Sequence, residues 1–163
     1  MARVLIVGCG CRGRALAASL IADGHAVRAT TRDPARLESI AAVGAEGVIG
    51  DPDRIVTLMG ALDRVTVVCW LLGSATGDPE GLAALHSTRL RFFLERLIDT
   101  TVRGVVYEAV GTLDPALLAG GSAEVVRAHE TWAIPVEIID DYGADPDGWL
   151  ELQRGAISRL IGE

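Results

Sequence analysis

Residues 3–18 read RVLIVGCGCRGRALAA. A β-branched run ends at a glycine, further glycines follow at 10 and 13, and helix formers come next, with Leu16 and Leu20 four apart. This strand–glycine–helix order constrains the fold more than any other feature of the chain. Each glycine has a separate physical task. Gly8 permits a tight turn, Gly10 lets the backbone approach a ligand, and Gly13 lets the helix pack closely on the strand. The unpaired N–H groups at the helix N-terminus are then free to meet an anion. G-x-G-x-x-G spacing that opens a βαβ unit is the arrangement that cradles a dinucleotide pyrophosphate.

The rest of the chain repeats the alternation. A second strand restarts at Gly24 and runs to about Thr30. Residues 31–44, TRDPARLESIAAVG, predict a helix with Asp33 as N-cap, Pro34 at the first position and Gly44 as the stop. AEGVIGD gives a third strand, Asp51-Pro52 opens a helix to about Leu62, and RVTVVCWLL gives a fourth strand. One long helix is expected from Pro79 to about Asp99, with Leu82, Leu85, Phe92, Phe93 and Leu97 on its apolar side and Arg89, Arg91 and Arg96 toward solvent. RGVVYEAVG is a fifth strand, a helix covers about Ser122 to Trp132, IPVEIID is a sixth strand, and Asp147 to Leu160 closes as a helix.

Near-continuous apolar strands alternating with helices predict a parallel sheet covered on both faces. There is no repeat of fixed period and no linker-like stretch. Residues 1–163 are therefore expected to form a single doubly wound α/β domain of the Rossmann type, with about six strands in the order 3-2-1-4-5-6 and no separate substrate domain.

The end of the second strand bears on which dinucleotide is bound. A site that prefers NAD places an acidic residue there for the ribose 2′-OH. Here the position is Thr31, followed by Arg32. A hydroxyl and a guanidinium suit a 2′-phosphate, so NADP(H) is favoured over NAD(H). Arg12 is either a second cation near that phosphate or a solvated loop arginine. Asp33 reads as a helix cap rather than a ribose ligand.

Composition excludes several alternatives. A net charge of -7 argues against a nucleic-acid partner, and no apolar run reaches the length needed to cross a membrane. The first residues begin a strand rather than a signal peptide, so a cytoplasmic location is expected. All 15 basic residues are arginine, and the chain has neither lysine nor asparagine. Chemistry that depends on a lysine ammonium is thereby excluded. Cys9 and Cys11 are too close together for a zinc knuckle and have no second ligand pair, so no metal site is expected. Thiolate chemistry at the helix N-terminus is the lesser alternative to cysteine as a small filler.

The stretch from Val4 to Leu37, with VIGD and VVCWLLGS after it, resembles the atypical short-chain dehydrogenase/reductases. Within that group it is most similar to the NmrA-like and flavin-reductase-like NAD(P)H-binding members. The resemblance is good over residues 3–75 and looser beyond. It implies that Asp51 lies near the adenine, although an N-cap role for Asp51 is compatible with this. It also implies that Leu72, Gly73 and Ser74 pass the cofactor ribose, alongside contacts from Gly8, Gly10, Cys11, Arg12 and Gly13. Tyr142, after the sixth strand, would border the substrate site or serve as a turn residue, and Val110, after the fifth strand, is the other substrate-side candidate.

The chain departs from the family where the chemistry is done. Typical members carry a Ser near the end of the fifth strand and a Tyr-x-x-x-Lys pair on the next helix, where the Lys lowers the tyrosine pKa. Here Ala109 or Val110 occupies the Ser position, the next helix has no Tyr, and there is no Lys at all. Two functions remain. One is an oxidoreductase that transfers hydride directly to a small acceptor, a mechanism that needs orientation more than acid–base groups. The other is a catalytically silent NAD(P)H-binding or regulatory module acting through a partner or as a homodimer. His86 and His129 read as surface histidines, Trp70 and Trp132 as core or interface aromatics. Tyr107 and Glu108 are strand neighbours, so at most one of them faces the cofactor.

Overall fold

The computed structural model describes residues 1–163. Six parallel strands, β1 Arg3–Val7, β2 Ala26–Thr31, β3 Glu46–Ile49, β4 Val67–Trp70, β5 Gly104–Glu108 and β6 Val136–Ile139, form one sheet in the order 3-2-1-4-5-6. The expected Rossmann architecture is therefore present. The chain steps outward from β1 to β3, returns to lay β4 against β1, and steps outward the other way. Loops leaving β1 and β4 diverge at this switch, which opens a crevice beyond the strands' carboxyl ends. Register sharpens it, because Val7, Thr30, Trp70 and Tyr107 stand level across β1, β2, β4 and β5.

Alternation along the strands sends successive side chains to opposite faces. Leu5, Val68, Trp70, Val105 and Tyr107 pack on one face against α4 Pro79–Leu85, α5 Thr88–Arg96 and α6 Pro115–Trp132. Ile6, Cys69 and Val106 pack on the other against α1 Cys11–Ala22, α2 Leu37–Ala42 and α7 Pro146–Ile161. Both faces are buried under helices, which is why the strands show no polar alternation in sequence.

Several helices differ from the sequence expectation. The single helix expected from Pro79 to Asp99 is two, α4 and α5, broken at His86-Ser87. The break occurs because the His86 side chain turns into the core and Ser87 Oγ donates to the Ala83 carbonyl, which diverts the backbone. Phe92, expected on the apolar side, is exposed beneath the Arg96 guanidinium. The helix expected to open at Asp51-Pro52 instead begins at Val56 (α3, Val56–Met59), because Asp51 and Arg54 form a bridged turn. Residues 34–36 form a 3₁₀ turn capped by the Asp33 carboxylate, with α2 following. The sixth helix starts seven residues earlier than expected, at Pro115, capped by the Asp114 side chain.

Candidate dinucleotide site

A cleft of about 490 Å³ lies along the carboxyl ends of the central strands. Its floor is the β1–α1 loop. Gly8 has φ +94°, a left-handed conformation, and any Cβ there would overlap the Leu71 carbonyl. Gly10 is the opposite case, since a Cβ there would meet nothing within 4 Å. Gly13 packs against the Gly8 carbonyl and Cys9 Sγ at 3.3 and 3.4 Å from where a Cβ would stand. Gly10 is the N-cap of the twelve-residue α1, with no side-chain cap and no acidic residue in the first turn. The N–H groups of the first turn thus point into open cleft with no protein anion to meet them, the condition for binding a pyrophosphate.

One end of the cleft is built at the end of β2. Arg32 and Arg36 both line it. The Arg32 guanidinium is half-exposed, 3.7 Å from Asp53. The Thr31 hydroxyl is taken up locally, accepting from Asp33 N and donating to Asp33 O. The cations at this end are therefore Arg32 and Arg36, and sequence reasoning missed the second because it reads as an ordinary exposed helix residue. Asp33 caps the 3₁₀ turn through Ala35 N. Gly50 and Pro52 line the cleft here, and the Asp51 carboxylate between them accepts from Asp53 N at 2.9 Å.

The other end lies over β4 and β5, and Arg12 belongs to it. Its guanidinium donates to Ser74 Oγ at 3.3 Å and stacks 5.2 Å from the Trp149 ring and 5.3 Å from the Tyr142 ring. The sequence leaves Arg12 as a second cation for the 2′-phosphate or as a solvated loop arginine. The two aromatic rings and Ser74 instead hold it toward the β4 and β6 loops. Tyr142 sits at this end through that stack, half-exposed after β6.

The loops after β4 and β5 are locked together. Ser74 Oγ accepts from Thr112 N, Gly73 O accepts from Leu113 N, and the Val110 carbonyl lies so close to Gly73 that no Cβ fits there. Leu72 lines the cleft, and its carbonyl accepts from His86 Nε2 at 3.0 Å.

His86, expected at the surface, is 1 % exposed. A carbonyl can only accept, so Nε2 carries the proton toward Leu72 and Nδ1 accepts from the Tyr107 hydroxyl at 2.6 Å. Burial lowers the His86 pKa, against the pull of the Leu72 carbonyl, and burial raises that of Tyr107. In the unfolded chain the His86 imidazole titrates at ~6.5 and in the folded protein lower, so below that value the unfolded state binds more protons. This contribution to stability is complete above the unfolded pKa and is lost as pH falls below it. Urea unfolding at pH values of about 7.5 and 5.5 should show that loss in wild type. His86→Phe should flatten it and cost about 2 kcal/mol at neutral pH, because Tyr107 and Leu72 lose their partner.

Glu108 is the residue that sequence reasoning left undecided. Tyr107 faces α6, and Glu108 faces the cleft wall, 3 % exposed. Its Oε1 accepts from Gly73 N and its Oε2 from Trp149 Nε1, each at 3.2 Å. Burial pushes its carboxyl above the usual carboxylate range, while Arg12, Trp149 and Gly73 pull it back. A lone Glu in an apolar strand was the available signal.

The cysteines are free. Cys9 is buried, which raises its thiol to about 11, so it is protonated at neutral pH. Cys11 is exposed and its Sγ accepts from Arg14 at 3.3 Å. No group of three or more His, Cys, Asp or Glu side chains converges, and no helix is long and apolar enough to cross a membrane.

Comparison with known proteins agrees with this geometry. The chain is similar in fold to the crystal structure of gox2253, with TM-score 0.69 and 22 % identity, covering 85 % of this chain and 50 % of that one. A short-chain dehydrogenase/reductase superfamily protein from Agrobacterium tumefaciens with bound NAD gives TM-score 0.68 and 20 % identity, covering 83 % and 48 %. UDP-glucuronic acid 4-epimerase from Bacillus cereus, in complex with NAD, gives 0.66 and 16 %, covering 83 % and 54 %. The chain thus spans about half the length of these structures. A search of curated proteins finds no match. The NAD(P)H-binding family model matches residues 8–129, from the glycine loop into α6. With the loop, the switch-point cleft and that match together, the chain belongs to the NAD(P)H-binding family, on a short-chain dehydrogenase/reductase-like fold.

Proposed function

We propose that the protein binds NADP(H) in preference to NAD(H) and acts as an oxidoreductase on a small acceptor. The observation that carries this is the uncapped α1 N-terminus, open at Gly10, on the floor of a cleft with Arg32 and Arg36 at one end. The first-turn N–H groups would hold the pyrophosphate, and the two arginines would hold a 2′-phosphate. Leu72, Gly73 and Ser74 would flank the ribose at the far end. Bound there in reduced form, the dinucleotide supplies hydride. The chain supplies placement: the interlocked β4 and β5 loops fix the far end, and Arg12, Trp149 and Tyr142 wall it on the β6 side.

Arg32→Ala should weaken NADPH binding by about tenfold or more and leave NADH nearly unchanged, since one charge-assisted phosphate contact is lost. Parallel fluorescence titrations with the two dinucleotides check this, and equal losses would remove the NADP(H) preference. Steady oxidation of NADPH with quinone acceptors tests the activity. A second reading, a silent NAD(P)H-binding module, is favoured by Ala109 and Val110 where a catalytic Ser would stand and by an α6 without Tyr or Lys. Tight binding without turnover across that acceptor series would select it, with a partner protein or a second copy of the chain as its target. A cytoplasmic setting would supply the dinucleotide and keep the three thiols reduced. The acceptor would be held by the loops of this same domain.

A further inference from the structure

Glu108 is the one acidic side chain buried in the protein. It lies at the end of β5 in the cleft wall, and each carboxylate oxygen accepts one N–H donor. Its surroundings contain a single cation, Arg12, from the first turn of α1. The end of β4 offers only the Gly73 amide and α7 only the neutral Trp149 indole. Its partner on β6 is Ile139, and the titratable Tyr107 beside it on β5 faces the other side of the sheet. Arg12 makes no ion pair with any carboxylate, so one guanidinium on the cleft wall balances the buried charge at a distance.

Arg12 belongs to the first turn of α1, where the pyrophosphate would dock, and its guanidinium reaches along the cleft to Ser74, Trp149 and Tyr142. An anionic dinucleotide would draw its field away from Glu108, and the far end of the ligand would cover the cleft and displace water. Both changes disfavour a carboxylate and favour the neutral acid.

We propose that Glu108 is the proton-carrying residue of this site, taking one proton from solvent when the dinucleotide binds and holding it for the acceptor. The inference rests on the dinucleotide-binding function proposed above and supplies what the absent Tyr and Lys would have provided. Were a reduced dinucleotide bound, it would supply one hydrogen with its electron pair and become oxidised, and Glu108 would supply one proton, so that an acceptor C=O would become CH–OH. The Glu108 carboxylate would then regain its proton from solvent.

Titration calorimetry of NADPH and NADH near neutral pH, in two buffers of different ionisation enthalpy, counts protons taken up per dinucleotide. Wild type should show net uptake. Glu108→Gln, which keeps shape and removes the titrating group, should show none, with affinity changed by less than about tenfold. Zero uptake in wild type, or equal uptake in both proteins, overturns the proposal. Should the variant fail to fold, infrared difference spectra of wild type decide the matter. Adding the dinucleotide must raise the band of a neutral carboxylic acid and remove a carboxylate band, and spectra without that exchange overturn it. A protein that binds neither dinucleotide overturns the cofactor assignment itself, and this inference with it.

Discussion

Gly10→Val should abolish NADPH binding, by about 100-fold or more, while leaving the fold intact. The backbone at Gly10 has φ -88° and extended ψ, which a β-branched residue adopts without strain. A Cβ there meets nothing within 4 Å, so neither clash nor lost packing costs stability. The added isopropyl group instead fills the approach to the N–H groups of α1, where the pyrophosphate must come to hydrogen-bond distance. Calorimetry and thermal denaturation together check this, with the midpoint expected to move by no more than about 2 °C. Gly8→Val is the contrasting control. At φ +94° and against the Leu71 carbonyl, it should destabilise the fold itself. A Gly10→Val protein that still binds NADPH would show that the ligand approaches from elsewhere.

The second large effect is expected on stability. Gly111→Ala should cost about 3 kcal/mol, because its Cβ would overlap the Gly73 carbonyl. Both sides of this contact are main chain, so no change of rotamer relieves it. The two loops must separate, and the bonds from Thr112 N to Ser74 Oγ and from Leu113 N to Gly73 O go with them. Urea unfolding reads the loss. The midpoint should fall with little change in slope, as for a lesion in the native state alone. A stability equal to wild type would mean that the loops separate without cost.

The fold was legible because it is local and periodic. Short apolar strands, such as Arg3–Val7 closed by Gly8, and the Asp33-Pro34 opening are signals contained within a dozen residues. Asp51-Pro52, by contrast, opens a bridged turn, and the Asp114-Pro115 start of α6 lies ahead of the expected one. The strand order followed from the alternation, since parallel strands need crossovers and the glycine loop marks the first. The breaks were illegible for the opposite reason. Residues 79–99 carry one continuous helical pattern, and the interruption at His86 comes from Tyr107 and Leu72, which are distant in sequence. The site divides in the same way. The loop glycines can be read from spacing, whereas Arg12 is aimed by rings contributed from residues 142 and 149. Glu108 becomes significant only once Gly73 and Trp149 are seen to hold it.

The three thiols differ sharply in access, and this has a practical consequence. Cys9 and Cys69 are enclosed by the core, and burial holds both in the unreactive protonated form. Cys11 alone meets solvent, and it is the first residue of α1. An alkylating probe therefore has one target, placed in the floor of the cleft. The rate at which that probe is consumed becomes a footprint of occupancy, able to rank candidate ligands before any reaction is known.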